Sequence, residues 1–157
     1  KHTLEVDDFK FKCSIGKNGK SKKKKEGDKK TPIGLYTIEN LYYRSDRIKK
    51  PITNLKCIKI KKNMGWCDDP HNLKNYNKLI TISKKIKCEN LYRKDHNYDL
   101  LIPIKYNFFK PIQFKGSCIF IHLTNNYKPT AGCVAIKKKD FLIMLKLIDK
   151  KSKIKIN

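Results

Sequence analysis

A histidine and a cysteine eleven residues apart carry the strongest chemical signal in the sequence. Ser117-Cys118-Ile119-Phe120-Ile121-His122 ends an apolar run, and Thr130-Ala131-Gly132-Cys133-Val134-Ala135 opens the next. Cysteine attacks as the thiolate, and a nearby imidazole can take its proton. Gly132 lets the chain turn sharply, so its N–H and that of Cys133 can point at a developing oxyanion. The pattern predicts acyl chemistry with Cys133 as nucleophile, His122 as general base and a thiol of depressed pKa. Such chemistry needs no metal and no organic cofactor.

Two strands must present that pair. Residues 118–123 alternate, with Cys118, Phe120 and His122 on one face and Ile119, Ile121 and Leu123 on the other. Residues 133–136 read as the last strand. Upstream, Phe9-Lys10-Phe11-Lys12-Cys13-Ser14-Ile15 alternates with period two, as a half-buried strand does. Residues 35–38, 57–61 and 79–82 give further short strands. The apolar run of residues 98–106 predicts a buried strand in which Pro103 marks an edge or a bulge. Met64-Gly65-Trp66-Cys67-Asp68-Asp69-Pro70 reads as a turn-rich loop, with Trp66 either plugging it onto the core or meeting substrate. Phe141-Leu142-Ile143-Met144-Leu145 has helical spacing and predicts the one helix, after which a lysine-rich end frays. The fold class is mainly β with a C-terminal helix, and residues 1–157 form one domain, expected to be a monomer.

Composition narrows the function classes. The formal charge is +24, and of 38 basic residues only Arg44, Arg47 and Arg93 are arginine. Nucleic-acid readers lean on arginine for bidentate contacts, so the charge reads as solvated surface and as the codon bias of an AT-rich genome, not as a dedicated nucleic-acid site. The lysine run of residues 20–30 is expected to be a mobile, solvated loop. No apolar run reaches the roughly 18 residues of a spanning helix. The six cysteines form no C-x-x-C pair, which argues against a zinc ribbon. Cys118 is expected to be a small buried hydrophobe, and no disulfide is deducible from spacing. His2, His71 and His96 read as terminal or surface residues, and Asp68 and Asp69 as loop hydrogen-bonding groups.

An ordered set of motifs extends the signal over nearly the whole chain. Cys13-Ser14-Ile15-Gly16, Lys25-Glu26-Gly27-Asp28, Thr31-Pro32-Ile33-Gly34, Gly65-Trp66-Cys67-Asp68-Asp69-Pro70, Tyr98-Asp99-Leu100 and the stretch from Gly116 to Asp140 follow one another. Together they resemble the L,D-transpeptidase catalytic domain, the YkuD fold. The resemblance implies a β-sandwich or barrel-like domain with Cys133 at the bottom of a groove and His122 beside it. It implies that Thr130, Ala131 and Gly132 form the site loop, Gly132 and Cys133 giving oxyanion N–H groups. It also implies a substrate, the tetrapeptide stem of peptidoglycan with diaminopimelate at its third position, and work in the periplasm or cell envelope. Tyr106 and Asn107 precede the catalytic strand and, with Trp66, are candidates for the groove wall. An L,D-carboxypeptidase and a silent wall-binding module are the alternatives.

Two positions depart from the family pattern. Ala131 stands where the site box usually has a histidine, and Ala135 where an arginine is common. Substrate contacts made by those two side chains cannot be carried over. The nucleophile and the base remain.

Overall fold

The structure is a computed structural model that describes residues 2–157. Its first hairpin joins β1 (His2–Val6) to β2 (Phe9–Ser14). Alternation decides which side chains go inward: Phe11 and Cys13 are buried while Lys10 and Lys12 are exposed. Short elements follow: β3 (Lys20–Ser21), β4 (Thr31–Pro32), β5 (Gly34–Thr37), β6 (Leu41–Tyr43) and β7 (Cys57–Lys59). Then come β8 (Met64–Cys67), β9 (Leu79–Thr81), β10 (Cys88–Asn90) and β11 (Leu100–Pro103). The chain ends with β12 (Phe120–Leu123), β13 (Val134–Ile136), α1 (Lys138–Leu147) and β14 (Lys153–Ile156). A seven-stranded sheet in the order β1-β2-β13-β12-β11-β6-β7 forms the frame. A three-stranded sheet, β10-β8-β9, and the pairs β14-β5 and β3-β4 complete a mainly-β fold.

The central strands are buried on both faces and separate two hydrophobic clusters. Ile119, Ile121 and Leu123 belong to one cluster, together with Phe141, Met144 and Leu145 of α1. Cys118 and Phe120 belong to the other, with Trp66, Tyr98 and Cys133. The alternation read from residues 118–123 is therefore realised, although Cys118 itself lies outside the strand at φ +54°. The helix buries Phe141, Met144 and Leu145, the i, i+3, i+4 stripe of an amphipathic helix.

Several expectations are corrected. Trp66 lies in β8 and not in a loop; Gly65 and the apolar neighbours of Trp66 let β8 sit as the middle strand of its sheet. Pro103 ends a central strand between β12 and β6, so it is not at an edge; it lies where the ladder slips by one residue, from Leu101 opposite Tyr42 to Ile104 opposite Ile38, as at a bulge. Proline is tolerated there because its missing N–H falls at this irregularity, while its carbonyl accepts from the Glu39 N–H at 2.9 Å. The lysine-rich end does not fray: Ile154 and Ile156 alternate inward, and β14 pairs with β5.

The lysine run is the largest correction. β3 pairs in parallel with β4, and the Asp28 carboxylate gathers the turn between them. It accepts from the Lys24 ammonium at 2.7 Å, the Lys25 N–H at 2.8 Å and the Lys30 N–H at 2.9 Å. Burial pushes this carboxyl up, but the three donors outweigh it and hold it below the usual range. Lys24 is only 4% exposed. A charge run is soluble as a whole, but one acidic residue within it can turn a single lysine inward.

Candidate active site

The pairing of β12 with β13 builds the site. The two strands run parallel, with Ile121 beside Val134 and His122 beside Ala135. Cys133 immediately precedes β13, two residues before Ala135, so the strand period of two puts both on the face that carries His122. His122, Cys133 and Ala135 line one cavity of about 450 Å³, which Thr130 and Ala131 also line.

The loop before Cys133 is held from both ends. The Thr130 N–H donates to the Ile15 carbonyl and its own carbonyl accepts from the Lys17 N–H, each at 2.9 Å. The Thr130 hydroxyl donates to the Cys133 carbonyl at 2.7 Å and accepts from the Gly132 N–H at 3.1 Å. The Gly132 N–H is thus committed to the loop. Gly132 has φ +140°, and a Cβ there would stand 2.9 Å from the Lys30 carbonyl oxygen. The position accepts glycine for both reasons.

The imidazole of His122 is set by its own strand. Nδ1 lies 2.9 Å from the Leu123 carbonyl oxygen. A carbonyl only accepts, so Nδ1 carries the hydrogen and Nε2 of the neutral ring is the free acceptor. Burial pulls the group down to about 4, with the nearby Arg93 pushing the same way against the Leu123 bond. The thiol of Cys133 is directed at the Cys118 carbonyl, 3.2 Å away, and its sulfur accepts from the Phe120 N–H at 3.4 Å. Burial pushes Cys133 up to about 12, helped by Glu89 and opposed by the Phe120 N–H, Lys24 and Arg93. The expected depressed thiol pKa is therefore not found. For a thiol as buried as Cys133 the cost of an unsolvated thiolate exceeds what the neighbouring cations return. The resting pair is neutral thiol and neutral imidazole.

The remaining candidates fall into place behind the cavity. Trp66, Tyr106 and Asn107 are not among the residues that line it. Asn77 joins them to it: its Oδ1 accepts from the Trp66 indole at 3.0 Å and from the Cys118 N–H at 3.1 Å. Its Nδ2 donates to the Tyr106 and Asn107 carbonyls at 3.1 and 2.7 Å. The side chain of Asn107 donates to the Ile112 and Gly116 carbonyls, closing the loop before Cys118. These residues hold the segment whose carbonyl receives the Cys133 thiol. His96 pairs with Asp99 at 2.6 Å in an exposed turn, and Asp69 accepts from the His71 N–H at 3.0 Å.

Residues that the sequence reading left aside also line the cavity. Lys24 reaches it from below Gly116 and Gly132. Arg93 lies 4.8 Å from the centre of the Tyr98 ring, and that ring meets the edge of His122 at 5.3 Å between centroids. Tyr98 donates to Glu89, whose carboxyl burial pushes up. Although Ala131 and Ala135 carry no charge, four basic side chains line the cavity, Lys24, Lys29, Arg93 and Lys128. A signal for Arg93 was present: in a chain that otherwise uses lysine, its three arginines each make multiple polar contacts.

No curated protein and no solved structure matches the chain. A family model, the YkuD L,D-transpeptidase catalytic domain, matches residues 4–156. With that match over nearly its full length, the chain belongs to the L,D-transpeptidase catalytic domain family.

Proposed function

We propose that the protein is a cysteine acyltransferase of peptidoglycan stem peptides, with Cys133 as nucleophile and His122 as base. The observation that carries this reading is that His122 on β12 and Cys133 at the mouth of the adjacent parallel strand β13 line one cavity, with Nε2 of His122 left as a free acceptor. The family acts on peptidoglycan, so the work belongs to the cell envelope. The substrate is a stem tetrapeptide, of the diaminopimelate type.

The steps follow from the resting geometry. The thiol leaves the Cys118 carbonyl and gives its proton to Nε2 of His122 as sulfur attacks the carbonyl of the third stem residue. The Leu123 carbonyl, fixed on Nδ1–H, steadies the imidazolium that forms. The oxyanion meets the Cys133 N–H, since the Gly132 N–H is taken by Thr130, and the field of the Lys24 ammonium. Collapse breaks the amide bond, and His122 returns the proton to the departing amine of D-Ala. The thioester then passes to an amine of a second stem, releasing the thiol and forming the crosslink.

The test is mass spectrometry of the protein with a disaccharide-tetrapeptide, with Cys133→Ala as control. A crosslinked dimer that has lost D-Ala, absent with the variant, is the expected result. A tripeptide alone makes the protein a carboxypeptidase. No product and no acyl-enzyme mass refutes acyl chemistry and leaves wall binding.

A further inference from the structure

We infer that Cys67 and Cys88 are a built disulfide site that clamps β8 to β10. The two residues face each other directly in the antiparallel pairing, in register Cys88 with Cys67, Glu89 with Trp66 and Asn90 with Gly65. The type of pair matters. The Leu91 N–H donates to the Met64 carbonyl at 3.0 Å, which makes Met64 and Leu91 a hydrogen-bonded pair. Pair types alternate along an antiparallel ladder, so Cys67 and Cys88, three steps on, are a non-hydrogen-bonded pair. The backbone of Cys67 agrees: its N–H donates to the Lys78 carbonyl and its carbonyl accepts from the Asn77 N–H, each at 2.9 Å and both away from β10. Non-hydrogen-bonded pairs bring Cα atoms to about 4.5 Å, within the range a disulfide spans. Both cysteines are free thiols in the structure.

The surroundings make room for the bond. The Cys88 sulfur leans over Gly65, where it lies 2.7 Å from the place a Cβ would take. Any larger residue at Gly65 would compete with that sulfur. Rotation about the Cys88 side chain carries the sulfur from above Gly65 towards Cys67. Cys67 is fully buried and Cys88 half-buried, which orders the chemistry. The Cys88 thiolate attacks one sulfur of an oxidant disulfide and expels its other half as a thiol. Cys67, losing its proton, then attacks the Cys88 sulfur of the mixed disulfide and expels the second half. Two protein thiols and one external disulfide become one protein disulfide and two external thiols. A disulfide of this kind persists outside the cytoplasm, the compartment of a peptidoglycan enzyme.

The bond has a bearing on the cavity. Asp68 follows Cys67 and Glu89 follows Cys88, and both carboxylates line the cavity of Cys133. A cross-link between the preceding residues fixes the two strands that carry this acidic wall. The inference does not depend on acyl transfer, because its readout is a covalent bond that does not involve Cys133.

The experiment is oxidation of the full chain with glutathione disulfide, followed by alkylation under denaturing conditions and peptide mapping. The expected product is a peptide containing Cys67 joined to one containing Cys88. It weighs two hydrogens less than the separate peptides and is lost on reduction. In Cys88→Ala the cross-link is absent and Cys67 is alkylated. The oxidised wild type melts above its reduced form, and Cys88→Ala shows no such difference. The inference is overturned if Cys67 and Cys88 both remain alkylated after oxidation. It is equally overturned if they end as separate glutathione adducts or bonded to other cysteines.

Discussion

Acidification should reveal how tightly the protein holds His122 in its neutral form. Burial pulls this imidazole from its ordinary value of 6.5 down to about 4. Below pH 6.5 the unfolded chain therefore takes up a proton that the folded chain refuses. The stability contributed by His122 is complete above pH 6.5, falls as pH drops towards 4, and is flat below that. Each tenfold change in proton affinity is worth about 1.4 kcal/mol, so the whole loss is about 3 kcal/mol. His122→Gln removes the titration while keeping an amide that can donate to the Leu123 carbonyl. Urea unfolding of both proteins at pH 7 and pH 4 measures the effect, since other groups titrate alike in the two. The wild type should lose about 3 kcal/mol more than the variant over this interval. Parallel losses, within about 0.5 kcal/mol, would refute the argument. They would mean that the imidazole keeps ordinary basicity in the cavity, and that the neutral resting pair is wrong. With His122 as the proposed base, the acidic limb of kcat/KM should fall near pH 4, not near 6.5.

Three further outcomes follow from the same geometry. Cys133, held at about 12 by burial, should alkylate at pH 7 at least ~100-fold more slowly than a free cysteine peptide, read by mass spectrometry of its own peptide; faster reaction would show a thiolate at rest. Lys24→Met leaves the Asp28 carboxylate without its ammonium partner in a largely buried site and should cost about 3 kcal/mol in urea unfolding. A loss below about 0.5 kcal/mol would mean the pair is not formed in solution. Gly132→Ala forces a Cβ to 2.9 Å from the Lys30 carbonyl at φ +140°, and should lose about 2 kcal/mol of stability together with most of the activity in the muropeptide assay.

The strands that carry chemistry were readable because their patterns are local. Alternation in residues 118–123 and 9–15 separates inward from outward side chains without any knowledge of partners. The helix was readable from Phe141, Met144 and Leu145 for the same reason. Trp66 was misread because glycine, aspartate and proline around it give turn signals, while its strand exists only through pairing with β9 and β10. The C-terminal strand was misread because Ile154 and Ile156 sit among lysines and gain their burial from β5, over a hundred residues away in sequence. Lys24 was hidden in a run of identical neighbours, and only Asp28 distinguishes it. Spacing singled out Cys133 and His122, which the fold brings to one cavity, but the sign of the thiol shift depends on burial, which spacing does not encode.

That sign constrains the chemistry. With the thiol near 12 and the imidazole near 4, moving a proton from Cys133 to His122 is uphill by on the order of 10 kcal/mol. Attraction between the resulting thiolate and imidazolium returns about 4 kcal/mol at contact in a medium of intermediate dielectric. A preformed ion pair is thus a minor species, and it cannot be the resting nucleophile. The proton must move as the carbon–sulfur bond forms, so that negative charge passes to the substrate oxygen and never rests on sulfur. The cations Lys24 and Arg93 then act where the charge arrives, on the tetrahedral oxyanion, more than on the thiol that leaves. Removing the Lys24 charge should therefore lower kcat more than it slows alkylation of Cys133 by a small electrophile. Equal losses in the two reactions would place its effect on the thiol instead.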